Sequence, residues 1–186
     1  MAIEAPSAAE IFPHVRIVMG MVVGLGMTRL LSGVARIVQH PRRTPVYAVH
    51  LGWALSVLLM LVHFWWWEFG LYHIGNWTFG IYLFLISYSI LLFLLCAFLF
   101  PESMADYSGY EDYFLSKRIW FFGILASTYF FDYADTLLKG RQHLESFGTE
   151  YLVRLPVFVA LCLAAMATRN RTFHAMLVIG TIVYQI

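Results

Sequence analysis

The chain has 186 residues, of which 61% are hydrophobic and only 12% charged. Soluble domains average roughly 45–50% apolar and about 25% charged residues. The composition therefore excludes a disordered chain, a secreted disulfide scaffold and an ordinary soluble enzyme, and it points to a small multi-pass membrane protein. The net charge of +1 supplies no field to draw nucleic acid, so the lipid bilayer is the expected environment and nucleic acid is not an expected partner.

The first segment, 1–12, reads as a short tail. It carries Glu4 and Glu10 and no basic residue before Arg16, unlike a signal peptide, which opens with positive charge. A single transmembrane helical domain follows over 13–186. Its apolar runs predict six membrane helices over 13–38, 45–67, 77–100, 118–138, 149–168 and 172–186. They are continuously apolar, without the alternation of barrel strands. The last run has 15 residues, about 22 Å of helix against a hydrocarbon core of about 30 Å. The predicted fold is thus an all-α membrane helix bundle with a short last helix. The loop 101–117 reads as an interfacial helix, with Tyr107, Tyr110 and Phe114 spaced among acidic residues.

Basic residues set the orientation. Arg36, Arg42, Arg43, Lys117, Arg118, Arg169 and Arg171 fall in one set of loops. Arg16, Lys139, Arg141 and Arg154 fall in the other. The larger set is expected inside, which leaves the N-terminus outside, in a membrane of the bacterial inner type. Trp65, Trp66, Trp67 and Trp77 flank the turn between the second and third spans, as an interfacial aromatic belt does.

Ionisable residues within a span are costly and mark candidate sites. Arg29 lies about 14 Å from the inner end of the first span and Asp132 about 21 Å along the fourth. A contact between them is expected, direct or through water. Thr128, Asp132, Asp135 and Thr136 stand at i, i+4, i+7 and i+8, which puts one polar stripe on one helix face. That stripe must face the bundle interior or another subunit. His63 lies at the height of Asp135, and Glu150 and Arg154 form an i, i+4 pair. These groups are expected to gather with Glu68 into an outer polar cluster, either relaying protons or satisfying their own charges. Gly20, Gly24, Gly26 and Gly33 give the first span a small-residue face suited to close helix packing.

Several chemistries find no support. The only lysines, Lys117 and Lys139, stand at span ends, unlike a retinal Schiff base. There is no arginine repeat of the voltage-sensor kind, no TVGYG filter, no P-loop, no HExxH and no GxSxG. Cys96 and Cys162 form no CxxC and read as small buried residues. No catalytic residue and no metal site is assigned, and no cofactor is expected. The leading expectation is a homo-oligomeric channel or transport-type protein, since a chain this small should enclose little space alone. The alternative is an accessory or assembly subunit of a larger membrane complex. A third reading is a haem-bearing redox subunit, with His50 facing His174, or His63 facing His73 or His143.

Overall fold

The structure is a computed structural model that describes residues 8–40 and 44–186, the side chains of Ala8, Ala9, His73 and Arg141 excepted. Arg42, Arg43 and the side chains of Arg141 and His73, used above for orientation and haem pairing, lie outside the described residues. Those residues form seven α-helices and no strand. They are α1 (Ala8–Gln39), α2 (Ala48–Trp67), α3 (Phe79–Leu99), α4 (Tyr110–Leu138), α5 (Arg141–Ser146), α6 (Gly148–Ala167) and α7 (Arg171–Gln185). A 3-10 turn, Glu68–His73, extends α2.

Four segments are long and apolar enough to cross a membrane: Glu10–Gln39, Ala48–Tyr72, Phe79–Leu99 and Gly148–Ala167. Large apolar side chains such as Leu25, Leu55, Leu83, Val157 and Ile179 are exposed on the outside of the bundle. Lipid, not water, suits that surface. The fourth and sixth predicted spans take a different form. α4 is 29 residues long but carries charge at both ends, with Lys117 and Arg118 near one and Asp132 and Asp135 near the other. Its uncharged middle, 119–131, covers only about 20 Å. α7 has 15 residues and is short, as expected.

Helix ends explain several boundaries. α1 begins at Ala8, so residues 8–12 belong to the first helix and not to a tail, and Pro13 lies inside it. At the sixth helical position proline removes one backbone bond, the one that would run to the Ala9 carbonyl. Thr78 caps α3 by accepting from the Ile81 N–H at 3.2 Å. Asn170 caps α7 by accepting from Thr172 N and Phe173 N at 2.9 and 3.2 Å, a structural use for what is also a glycosylation triplet. Gly140, at φ 109°, breaks the chain between α4 and α5 in a conformation that only glycine holds easily.

The helices pack in a ring: α1 on α3, α3 on α4, α4 on α6, then α7 against α2 and α2 back against α1. α6 and α7 touch only lightly. The core is aromatic, with Trp53 edge-on to Phe121 and Phe122 at ring-centroid distances of 5.3 Å. One end of the bundle carries Trp65–Trp67 and the start of α1, where Phe12 meets Trp77 and Arg16 stacks over Trp65. This is the tryptophan end. The other is the loop end, around Pro101.

The small-residue face of α1 does not act as a uniform GxxxG strip. A Cβ on Gly26 would meet Cys96 Sγ at 3.2 Å, and one on Gly33 would run into the Phe100 ring. At Gly20 it would crowd the Trp65 ring of α2 at 2.9 Å, and at Gly24 nothing lies within 4 Å. Gly26 and Gly33, seven residues apart, therefore set the approach of α1 to α3. Gly33→Ala is expected to destabilise the bundle by about 1–3 kcal/mol by overpacking. Gly24→Ala is expected to leave thermal stability in detergent unchanged.

Candidate functional site

The helix ring leaves a cavity of about 380 Å³ near the tryptophan end. Five helices contribute to it. His63 and Trp67 come from α2, Tyr88 from α3, and Thr128, Tyr129, Asp132 and Asp135 from α4. Arg154 and Phe158 come from α6, and Thr181, Tyr184 and Gln185 from α7; Glu68 enters from the 3-10 turn. The polar stripe of α4 thus faces the interior of its own chain, because α3, α2 and α6 all pack around that helix.

Two charge clusters hold the cavity's floor and wall. In the first, Lys139 donates to Glu68 Oε1 at 3.1 Å and also pairs with Asp135 one helical turn before it. All three side chains are buried: 3% exposed for Lys139, 1% for Glu68 and 6% for Asp135. The remaining carboxylate oxygens, Glu68 Oε2 and Asp135 Oδ1, have no hydrogen-bond partner among the described residues. In the second cluster, Arg154 pairs with Asp132 Oδ2, and Tyr151 donates to the same oxygen at 3.0 Å. The Tyr151 hydroxyl lies 2.6 Å from that of Thr136, and the Arg154 guanidinium stacks over the Tyr151 ring at 4.4 Å. This pair is more open, with the side chain of Asp132 36% exposed. Thr128 hydroxyl bonds back to Leu125 O at 2.7 Å, so its polar group stays satisfied within the helix.

The α5 turn lies at the same end. Phe147 packs on Trp67, Tyr151 and His143. Burial, and then the nearby Lys139 ammonium, hold His143 below its ordinary range.

Of the expected outer cluster, His63, Asp135, Arg154 and Glu68 share one cavity, together with Asp132 and Thr128 of the polar stripe. Glu150 stands apart from the cavity lining. It is exposed and accepts from the Tyr184 hydroxyl at 2.5 Å. Arg29 does not meet Asp132. It lies at the opposite end, donating to Phe100 O at 3.4 Å with Glu102 Oε1 at 3.9 Å. The reason is the length of α1. Its 32 residues carry it past the end of α3, and Arg36 already reaches Pro101 O at 3.5 Å. Depth counted from the end of α1 overstates how far Arg29 lies inside. Instead it supplies a cation to the carbonyls at the C-terminus of α3, where the helix dipole favours one.

Lys139, Tyr151 and the tyrosines of α3, α4 and α7 are absent from the sequence-based set. Lys139 carried a readable signal, since it follows Asp135 by four residues on the same helix. Tyr151, Tyr88 and Tyr184 carried none, because only the packing of separate helices brings them to α4.

Two of the histidines considered for haem, His50 and His174, bond to backbone carbonyls. His50 Nε2 donates to Leu99 O at 2.5 Å, and the ring stacks on Tyr110. His174 Nε2 donates to Thr168 O at 3.0 Å, and its ring stacks on Phe122. Each closes the C-terminal end of a helix, and the Phe114 ring packs against both. Among the described residues no group of three or more His, Cys, Asp or Glu is arranged to hold a metal.

Fold and site together describe an all-helical bundle with four membrane-capable helices and a polar, charge-lined cavity near one end. No family model matches the chain, nor does any curated protein or solved structure.

Proposed function

We propose that the chain is a small transport-type membrane protein, in which the polar cavity near the tryptophan end is the place where a cation enters the bundle. The observation that carries this reading is the cavity of about 380 Å³ with Glu68, Asp132, Asp135, His63 and Arg154 on its walls. Ionisable groups are costly inside a membrane, and they persist where they line a water-filled path or pair with one another. Here they do both. A stripe serving only to brace helices needs no open volume beside it.

The tryptophan end is taken as the outer face. Arg36, Lys117, Arg118, Arg169 and Arg171 fall in or beside the loops at the other end, the arrangement expected of a cytoplasmic side. Because the cavity is formed by one chain, a ring of subunits would multiply the site without creating it.

Transport is tested by charge displacement. Proteoliposomes on a solid support are challenged with concentration jumps of potassium, sodium, ammonium and organic ammonium salts. A sustained current is expected for at least one, and Asp132→Asn is expected to lower it about tenfold or more, because it removes the charge most open to the cavity. Absence of current from every cation, with folded protein in the vesicles, contradicts the reading.

A further inference from the structure

The geometry points to a ligand class for this cavity: a monovalent organic cation, a protonated amine or quaternary ammonium, held between the carboxylates and the aromatic wall. The inference rests on the transport reading only for the use of the site, not for its chemistry.

Charge is the first argument. Glu68, Asp132 and Asp135 face two cations, Lys139 and Arg154, through the ion pairs described above. Three carboxyl groups thus stand against two cations. A carboxylate left without a cation in a low-dielectric interior is costly until it takes up a proton or meets a counter-ion. Two carboxylate oxygens, Glu68 Oε2 and Asp135 Oδ1, also lack partners among the described residues, and both residues line the cavity while 1% and 4% exposed. Acceptors without donors favour a ligand that brings donors or positive charge. An anion would find Arg154 already committed to Asp132 and Tyr151.

Size and wall chemistry make the cation organic. A volume of about 380 Å³ lies within the range of about 300–1,000 Å³ typical of small-molecule sites, far more than a bare ion fills. Trp67, Tyr88, Tyr129, Phe158 and Tyr184 are among the residues that line this space, and aromatic rings attract ammonium groups across their faces. Asp132 is the entry contact. It is the least buried of the three acids, and both of its side-chain bonds end on Oδ2.

The test uses three probes with one body and different heads: phenethylammonium, neutral 2-phenylethanol and anionic 3-phenylpropionate. Each is titrated by calorimetry into the full chain in nanodiscs, with empty nanodiscs as the blank. Phenethylammonium is expected to bind at least about tenfold more tightly than either other probe. Asp132→Asn is expected to weaken it about tenfold and to leave 2-phenylethanol unchanged. The inference is overturned if the alcohol binds as tightly as the amine, if the carboxylate binds more tightly, or if none of the three binds. The comparison within the unmodified chain stands even if the variant folds poorly. Selective binding without any current would sink the transport reading and leave the ligand class intact. Current without amine selectivity would do the reverse.

Discussion

Lys139→Met is expected to destabilise the protein by about 3–5 kcal/mol, the usual cost of removing one partner from a buried ion pair. Among the described residues Lys139 is the single cation paired with both Glu68 and Asp135. Without it, two buried carboxylates face each other at the tryptophan end. Thermal unfolding in mild detergent measures the loss. The combined change Lys139→Met, Glu68→Gln and Asp135→Asn removes every charge of the cluster and is expected to recover most of it. If the single and triple variants melt together, the cluster's charges do not hold this end of the bundle, and α5 and the 3-10 turn must be fixed by packing alone.

Trp53→Ala is expected to cost about 3 kcal/mol, the low end of the range for large aromatic truncations. Trp53 is 1% exposed and packs edge-on against Phe121 and Phe122. In a bilayer the unfolded reference also sits in hydrocarbon, so little transfer energy is lost. What remains is dispersion across the void between α2 and α4. Trp53→Phe is expected to cost clearly less. Equal losses from the two variants would show that the indole N–H, which has no hydrogen-bond partner among the described residues, matters more than ring volume.

How much the sequence disclosed depends on the kind of signal. Helices were legible because apolar run length is local. The predicted span 149–168 and the observed α6 (Gly148–Ala167) differ by one residue at each end. The polar face of α4 was legible because helical spacing alone puts Thr128, Asp132 and Asp135 side by side. Partners were not. Arg29 was matched to Asp132 by depth, yet depth depends on where each helix leaves the membrane, and α1 overshoots α3. Lys139 reads from the sequence only as a cation at a span end, whereas the turn after α2 brings Glu68 to it. The tyrosine wall needed the order of helices around the ring, which no run length encodes. The volume was also underrated: five helices meeting at one end enclose a cavity within a single chain.

The account stands on that cavity being open to water from the tryptophan end. Tyr184 and His63 line it, with Tyr184 46% exposed, while Leu55 faces outward from α2. Native Cys96 and Cys162 are buried and can be replaced by serine or alanine as background. The deciding measurement is labelling of single cysteines at positions 184, 63 and 55 by a membrane-impermeant, positively charged thiol reagent, applied to each side of reconstituted vesicles in turn. Labelling at 184 and 63 from one side only, slowed by phenethylammonium, with position 55 silent, is the result predicted here. Positions 184 and 63 that stay unlabelled from both sides, in protein that remains folded, would contradict a water-filled entry and with it the proposed function.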